Sequence, residues 1–471
     1  MHDVLELDDI QGLVARGYGR LSHACFLPMA IRDARTARGL LAGWTEHVTP
    51  ARDTSGTEAL NIAFTAAGLR ELTGWSALPD GFSYPFADGM TSRYRSRFLG
   101  DVDADDPQHW RWGGPMTAAV HLLVLVYART AGRLSARVDA MIAQATGSGL
   151  EVVQRLEADE LSRREPFGFA DSISQPAVAG LPGPGQGADP IRAGEFVLGY
   201  RNEYGQLTER PVMPAADDPK GLLARDDQGR ADLGRNGTYL VLRQLEQDVS
   251  GFWQCLADRS RLPDGTVDAG HRDHLAAKVV GRWTSGAPLV LAPDRDDPAA
   301  ADRNDFGYHA TDPDGLACPI GAHIRRVNPR DALEPAPGTE RSLEINKRHR
   351  LLRRGRSYRR SGPDGDRPAD ERGLYFICLN ANLARQFEFI QHTWINNPVF
   401  NGLHGETDPL TGGRHTGDGT FTVPARPVRR RHHGLPQFVT VRGGAYFFLP
   451  GLSALQYLTS TPEARTPHDI G

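Results

Sequence analysis

Residues 322–330 place one histidine among several basic side chains, in the order Ala-His-Ile-Arg-Arg-Val-Asn-Pro-Arg. If the segment is helical, His323 and Arg330 lie about two turns apart on one face, although Pro329 indicates that the helix ends there. Histidine is a common axial ligand of haem iron, and arginine pairs bidentately with carboxylates such as those at the edge of a haem. The segment therefore indicates a haem site, and a surface histidine or a satisfied core histidine is the alternative.

Two further segments carry side chains that suit the same chemistry. Residues 167–176 read Phe-Gly-Phe-Ala-Asp-Ser-Ile-Ser-Gln-Pro, and residues 351–358 read Leu-Leu-Arg-Arg-Gly-Arg-Ser-Tyr. With the histidine segment, they resemble the dye-decolorising peroxidase family of haem proteins. The family motifs are of the types Gly-x-x-Asp-Gly, His-Ile-Arg-x-x-Asn-Pro-Arg and Arg-Arg-Gly-x-x-Tyr. The resemblance continues through residues 9–12 and 373–377, so it spans nearly the whole chain and is closest to the larger bacterial and fungal members.

The resemblance implies three roles in peroxide chemistry. His323 is the axial ligand of the iron, Asp171 the distal acid and base, and Arg353 the distal cation. Cleavage of a peroxide needs a base that moves a proton between its oxygens and a cation that stabilises the developing charge. An aspartate, with a reference pKa of about 3.9, predicts an acidic activity optimum. A cap or turn residue is the alternative for Asp171, and a surface arginine is the alternative for Arg353.

Further residues would contact the cofactor, according to the same resemblance. Arg330 would pair with a haem carboxylate, and the remaining contacts are Phe169, Ser172, Ile173, Val327, Leu374, Phe376 and Phe387. Ser172 replaces the second glycine of the family motif, so a Cβ and a hydroxyl must fit close to the haem. This departure keeps a haem-handling or haem-sensing protein with little turnover as the alternative function. A haem-free hydrolase is not indicated, because its usual motifs are missing.

Two partner roles are less constrained by the motifs. The axial histidine should donate its second ring N–H to a carboxylate or carbonyl, and Glu388 and Asn382 are the candidates. Bulky dyes cannot easily reach a buried haem, and the family is thought to oxidise them at surface aromatic residues. Tyr358 is the first candidate for such a surface site and Trp394 the second, with ordinary packed aromatics as the alternative.

Composition excludes several other classes of protein. A net charge of -4 over 471 residues gives no electrostatic footprint for nucleic acid or a membrane surface. Cys25, Cys255, Cys318 and Cys378 are far apart, which favours reduced thiols over a zinc site or a disulfide framework. The acidic start of the chain resembles neither a signal peptide nor a twin-arginine signal, so we expect a cytoplasmic protein.

The order of apolar patterns predicts an α+β fold. Strands at 25–31, 59–64, 118–127 and 150–156, with helices at 34–48, 68–73 and 131–145, form one ferredoxin-like unit with an antiparallel sheet. Strands at 237–245 and 374–379, helices at 249–257 and 384–394, and a hairpin at 438–449 turned at Gly443-Gly444 repeat the plan. The predicted divisions are 1–185, a linker at 186–236, and 237–471. The dimeric ferredoxin-like fold of the family matches this plan.

Two long segments look inserted. Residues 294–314 are rich in aspartate and could bind Mn²⁺ or Ca²⁺, although a solvated loop is the simpler interpretation. Residues 401–436 contain Arg429 to His433, which could attract anionic dyes or simply be solvated. The prediction as a whole is a peroxidase with one haem b per chain that reduces H₂O₂ and oxidises bulky dyes and phenols, with the oligomeric state open.

Overall fold

Ten strands form one antiparallel sheet in the computed structural model, which describes residues 4–182, 190–361, 370–414 and 418–460. The strands of the described chain are β1 (His23–Ile31), β2 (Glu58–Phe64), β3 (Leu122–Ala128), β4 (Leu150–Val152), β5 (Leu156–Glu157), β6 (Val212–Met213), β7 (Ala231–Asp232), β8 (Thr238–Gln247), β9 (Leu352–Arg353), β10 (Arg356–Ser361), β11 (Asp370–Asn380), β12 (Phe421–Val423), β13 (Arg430–His432) and β14 (Val439–Leu449). The order in the sheet is β10-β11-β8-β14-β2-β3-β1-β4, with β5 beside β1 and β9 beside β11.

Helices pack on this sheet and connect its strands. They are α1 (Gly12–Ala15), α2 (Ala34–Thr45), α3 (Ala66–Thr73), α4 (Tyr84–Asp88), α5 (Arg93–Leu99), α6 (Ala131–Ala145), α7 (Val249–Asp258), α8 (Ala269–Val280), α9 (His323–Val327), α10 (Glu340–Lys347) and α11 (Leu452–Ser460). Two π-helical segments, Ala384–Glu388 and Ile390–Ile395, follow β11. The side chains of Asp33, Thr65 and Thr130 cap α2, α3 and α6 by accepting backbone N–H groups. None of the described helices is long and apolar enough to cross a membrane.

The α+β class and the antiparallel sheets agree with the prediction. The helix at 131–145 has the predicted bounds, and the strands at 25–31 and 59–64 are each confirmed within two residues. Strands from both predicted units join where Phe448 of β14 pairs with Phe64 of β2. The Gln11 side chain lies at this junction. Its Nε2 donates hydrogen bonds to the carbonyls of Ile62 and Pro450, and its Oε1 accepts the N–H of Ile62. The division into domains stays a prediction, and its boundary at 185–186 lies outside the described residues.

The predicted hairpin at 438–449 is wrong. Residues 439–449 form one continuous strand, β14, with a register shift between Val441 and Gly443. A Cβ on Gly443 would lie 2.4 Å from Nε1 of Trp112. Gly443 is therefore required for close packing against an indole ring, and the pair of glycines does not mark a turn.

Candidate active site

A cavity of about 970 Å³ opens beside the part of the sheet formed by β8, β11 and β14. Its size is near the top of the usual range for a ligand pocket. Segments far apart in the chain line it together, so the fold brings the three predicted motifs to one place. The predicted site residues that line the cavity are Phe169, Asp171, Ser172, Ile173, His323, Val327, Arg330, Arg353, Leu374, Phe376 and Phe387.

His323 is the first residue of the short helix α9, and its ring faces this cavity. Its Nδ1 lies 2.9 Å from Oδ2 of Asp408, a fully buried carboxylate. Because a carboxylate only accepts hydrogen bonds, Nδ1 carries the proton. In the neutral ring, Nε2 therefore has the free lone pair, and it is the ring atom that is able to bind a metal.

Asp408 corrects both predicted partners of the histidine. Glu388 instead accepts hydrogen bonds from Arg95 (2.9 Å) and from the hydroxyl of Tyr446 (2.9 Å). Asn382 accepts the backbone N–H of Arg385 at 2.9 Å. Both side chains are thus committed to other groups. The only sequence signal for Asp408 was its place in the long segment 401–436, and loops of that length are usually functional or disordered.

Further donors hold the Asp408 carboxylate as an anion. Its Oδ1 accepts the backbone N–H groups of Leu410 and Thr411, each at 2.9 Å. Burial alone would raise the pKa of Asp408, but the charge of the His323 ring in its protonated form, the hydrogen bond from that ring, the Thr411 N–H and the charge of Arg326 lower it to about 2. The histidine therefore faces a permanent negative charge.

The arginines next to His323 are structural. Arg326 is fully buried, donates to the carbonyls of Trp394 (2.7 Å) and Glu406, and packs over the ring of Phe400. Arg325 is paired with Asp312 at 3.0 Å. These contacts tie α9 to the segment that carries Asp408, so the basic run fixes the position of the histidine.

Arg330 lines the cavity, but it is not on a helical face with His323 as predicted. Helix α9 ends at Val327, and Arg330 has a φ of 56°. Its guanidinium donates to the carbonyl of Asn304 at 2.8 Å and packs 3.8 Å over the ring of Phe306. A backbone turn, and not the repeat of a helix, therefore sets the position of Arg330.

Two cavity arginines were missed from the sequence. Arg350 donates to the carbonyl of Ser174 at 2.9 Å, and burial, followed by the charges of Arg330 and Arg353, lowers its pKa to about 9. Burial and the charge of Arg330 likewise lower the pKa of Arg282 to about 10. Mutual repulsion and burial make this cluster a site for anions. Neither arginine stands in a motif that would single it out.

The loop that carries Asp171 bends through unusual backbone angles. Gly168 has a φ of 102°, and Ser172 and Ser174 have φ values of 66° and 64°. The Asp171 side chain is exposed to the cavity, and its Oδ1 accepts the N–H of Ser172 at 2.5 Å. Ser172 therefore adopts the left-handed conformation that the motif glycine favours, and it does so with a side chain present.

Arg353, on β9, is linked directly to this loop. Its Nη2 donates to the carbonyl of Ile173 at 2.9 Å, and its backbone N–H donates to Gln175 at 3.2 Å. The neighbouring Arg354 instead donates to the carbonyls of Leu13 and Val14, both at 2.8 Å. Arg353 is therefore the arginine of the pair whose guanidinium is held at the Asp171 loop.

Apolar side chains line much of the remaining wall. Leu374 and Phe376 face the cavity from β11, on the common face that their spacing predicted. Phe376 and Phe387 lie with ring centroids 6.2 Å apart. Such a wall excludes water and strengthens the electrostatic interactions of the few polar groups.

The predicted surface aromatics are both buried. Tyr358 has 0% exposure, donates its hydroxyl to Glu371 at 3.0 Å and stacks on Tyr375 at 4.5 Å. Trp394 is 4% exposed and packs against Phe389 and Phe400. Neither residue is able to meet a bulky substrate directly, because each is buried among these neighbours.

The described residues of the two long segments hold no metal cluster. Within the described ranges, no group of three or more His, Cys, Asp or Glu side chains could hold a metal ion, so the predicted Mn²⁺ or Ca²⁺ alternative has no site there. Asp305 is paired with Arg303, and Asp312 with Arg325. Arg430 and Arg431 lie exposed on β13, and residues 415–417 are outside the described ranges.

The chemistry of these residues fits a haem. A histidine with a free Nε2 is supported by a buried carboxylate, a cluster of arginines is placed to meet carboxylates, and the walls are largely apolar. The iron, the propionates and the macrocycle each find a suitable group in the cavity wall.

Comparison with known proteins agrees with this geometry. No family model matches the sequence. A dye-decolorizing peroxidase from Mycena epipterygia is 31% identical, with 98% of this chain and 88% of that protein aligned. The crystal structure of a DyP-type peroxidase from Auricularia auricula-judae superposes with a TM-score of 0.78 at 28% identity, covering 97% of this chain and all of that one. A dye-decolorizing peroxidase in complex with 2,6-dimethoxyphenol gives a TM-score of 0.77 at 26% identity, covering 97% of this chain and 100% of that one. The chain belongs to the dye-decolorizing peroxidase family.

Proposed function

We propose that the protein is a haem peroxidase that reduces H₂O₂ and oxidises bulky dyes and phenolic aromatics in one-electron steps. We further propose that the cofactor is haem b, with one molecule per chain. The observation that carries the proposal is the shared cavity, in which His323 with its buried partner Asp408 meets Asp171 and Arg353. A haem-binding protein without turnover would need the histidine but not the aspartate and arginine pair.

His323 would hold the iron through Nε2, while Asp408 keeps the opposite ring nitrogen protonated and hydrogen-bonded. The buried negative charge makes the imidazole a stronger donor and favours the oxidised states of the metal. Bound haem iron supplies the centre at which peroxide is reduced and the oxidising equivalents are stored. Arg330, Arg350 and Arg282 would neutralise the haem carboxylates.

Asp171 would take the proton from one oxygen of the peroxide and return it to the other, which leaves as water. Arg353 would stabilise the negative charge that develops as the O–O bond breaks. Leu374 and Phe376 would keep bulk water away from this step. The left-handed backbone of Ser172 supports the proposal, because the loop keeps the shape that a glycine would give it.

The electrons would come from aromatic reductants. A similar peroxidase is known in complex with 2,6-dimethoxyphenol, which supports phenols as one class of substrate. Because Tyr358 and Trp394 are buried, we place no surface oxidation site at either residue.

The test is a stopped-flow experiment on the haem-loaded protein. One equivalent of H₂O₂ should change the Soret band rapidly, and an anthraquinone dye should then restore the ferric spectrum while losing its own colour. A ferric Soret band that ignores peroxide would support the haem-handling alternative. A protein that acquires no Soret band when haem is supplied would contradict both functions.

Axial ligation has its own test. His323→Ala should lose the ferric spectrum of a histidine-ligated haem, and added imidazole should restore it in part by filling the space. His349→Ala is the control, because His349 bonds the carbonyl of Arg385 and stacks on Phe389 instead. An unchanged spectrum in His323→Ala would remove this residue as the ligand.

A further inference from the structure

An aromatic strip on the surface connects α5 with the second π-helical segment. Tyr94 is 64% exposed, and its ring stacks on Phe98, one helical turn further along α5, with centroids 5.9 Å apart. The ring of Phe98 stacks on that of His392 with centroids 4.0 Å apart, and Nδ1 of His392 donates to the Phe98 carbonyl at 2.9 Å. The peroxidase mechanism described above uses none of these three residues.

A short series of bonds connects the aromatic strip with the axial histidine. Leu99 follows the phenylalanine of the strip, and its carbonyl accepts Nδ2 of Asn396 at 2.8 Å. The carbonyl of the preceding residue, Ile395, accepts the N–H of Asp408 at 2.8 Å, and Asp408 accepts Nδ1 of His323. Leu99, Ile395 and Asn396 also line the cavity. Every step from the strip to His323 is therefore a covalent bond or a hydrogen bond.

Basic side chains surround the exposed tyrosine ring of the strip. Arg95 lies over that ring at 5.1 Å and is paired with Asp88 at 3.0 Å and with Glu388 at 2.9 Å. Arg93 and Arg97 are exposed on α5, and in the described part of the chain neither guanidinium forms an ion pair. Three arginines against two carboxylates leave this surface positive, which favours an anionic ligand.

Exposure and ring stacking together distinguish Tyr94 from the other tyrosines. Three tyrosines of the described chain are more than half exposed, namely Tyr84 (75%), Tyr94 (64%) and Tyr204 (53%). Tyr204 lies against the guanidinium groups of Arg348 and Arg385. Among the described residues, Tyr94 is the one of these three whose ring stacks on another aromatic ring. It is therefore the exposed tyrosine with an aromatic connection toward the cavity.

We propose that Tyr94 is the site at which bulky anionic aromatic substrates, such as sulfonated dyes, give up their electrons. Arg93 and Arg97 pair with the anionic group of the substrate while its rings meet Tyr94. Tyr94 passes one electron inward along the strip and releases its hydroxyl proton to water, then regains one electron from the substrate and one proton from water. One H₂O₂ takes up two electrons, so two substrate molecules are oxidised for each peroxide. The inference rests on the proposed function, which supplies the oxidising equivalents.

The first experiment locates the oxidised residue in wild-type protein without any substrate. The haem-loaded protein receives one equivalent of H₂O₂ in the presence of 2-methyl-2-nitrosopropane, a spin trap that bonds to tyrosyl radicals. Cleavage before aspartates gives the peptide 88–100, in which Tyr94 is the only tyrosine, tryptophan or cysteine, and the peptide 80–87, which contains Tyr84. Mass spectrometry should find the trap on 88–100 and not on 80–87, although Tyr84 is the more exposed residue.

The second experiment separates electron transfer from binding with a sulfonated anthraquinone dye. Tyr94→Phe keeps the ring and the arginines but has no hydroxyl proton to release, so kcat for the dye should fall about fivefold or more at an unchanged KM. Tyr84→Phe is the matched control and should keep the wild-type kcat, because Tyr84 is exposed without a stacked ring.

The arginines should affect binding instead. The double variant Arg93→Gln, Arg97→Gln should raise KM and the Kd of the dye for the resting enzyme about threefold to tenfold at low salt, with kcat nearly unchanged. The difference from wild type should shrink in about 1 M salt, where the Debye length is about 3 Å. Arg341→Gln, at an exposed position of α10, is the control for the loss of positive charge.

Two results would overturn the inference. One is a spin trap that bonds to other residues and leaves the peptide 88–100 unmodified, and this result does not depend on the folding of any variant. The other is a kcat for the dye that is the same in Tyr94→Phe, Tyr84→Phe and wild type. Wild-type protein whose Soret band ignores peroxide would instead contradict the proposed function.

Discussion

The two sides of the peroxide chemistry are built very differently. His323 is held by the fully buried Asp408, and Asp408 is held in turn by two backbone N–H groups. Asp171 is exposed to the cavity on a loop in which Ser172 and Ser174 have positive φ values. The iron ligand is therefore fixed by buried polar contacts, and the acid–base residue is presented on a bend.

This difference matches what each group must do. A metal ligand must keep one orientation and one protonation state, and a buried anion at Nδ1 imposes both. A proton carrier must exchange a proton with peroxide, so a solvated carboxylate beside the cavity is suitable. Buried polar side-chain contacts therefore hold the metal ligand, whereas the acid–base residue is positioned by the backbone of its loop.

The largest expected effect is on the histidine side. Asp408→Ala removes the acceptor of four donors in a buried position, so the haem-free protein should lose about 3 kcal/mol or more of its free energy of unfolding. Asp171→Ala should lose under about 1 kcal/mol, because the side chain is exposed and accepts one local N–H. Urea denaturation measures both. If the two variants lost the same free energy of unfolding, Asp408 would be held no more firmly than Asp171, and the contrast drawn above would be wrong.

The next effect concerns rate and not stability. Arg353→Leu and Asp171→Asn should each slow the reaction with peroxide by about 100-fold or more, because one removes a charge-stabilising donor and the other the base. Single-mixing stopped flow at several peroxide concentrations measures the rate constant. The larger loss identifies the group that limits O–O cleavage.

Arg341→Gln is the control for that pair, since Arg341 is exposed on α10, away from the cavity lining. If either active-site variant reacted as fast as Arg341→Gln, the residue concerned would have no part in peroxide cleavage.

The Asp408 carboxylate should make the free energy of unfolding depend on pH over a defined acidic range. The pKa of Asp408 is about 2 in the folded protein, against an ordinary value near 3.9, so the ionised form contributes stability above about pH 4. That contribution, about 2–3 kcal/mol, is lost as the pH falls from about 4 through 2. Asp408→Asn should therefore be less stable than wild type at pH 7 and lose less of its stability on acidification. If the unfolding free energies of the two proteins fell in parallel between pH 4 and 2, ionised Asp408 would not be the source of the stability lost in acid.

Local patterns predicted much of the fold. The helix at 131–145 could be recognised because its cap, Thr130, and its apolar spacing are encoded within the segment itself. The pair Gly443-Gly444 was misread as a turn, because the reason for the first glycine is the ring of Trp112, which lies far away in the sequence. Local patterns carry no information about such a contact.

The same distinction applies to the site. The motif residues His323, Asp171 and Arg353 could be named from a resemblance, because each motif is local. Asp408 could not, since it lies 85 residues from His323 and only the fold brings the two side chains together. Tyr358 was expected at the surface and is buried, because the pairing of β10 with β11 sets it against Glu371 and Tyr375.

The smallest expected effect tests the strain in the Asp171 loop. Ser172 has a φ of 66°, where a residue with a Cβ costs about 1–2 kcal/mol, so Ser172→Gly relieves strain. The glycine also raises the conformational entropy of the unfolded chain, which costs about 0.5–1 kcal/mol of stability and leaves a net gain of up to about 1.5 kcal/mol. Ser172→Ala keeps the Cβ and should show no gain in the same urea titration. If Ser172→Gly is no more stable than Ser172→Ala, the serine bears no strain, and the bend of the loop is set by its other contacts, Glu165 among them.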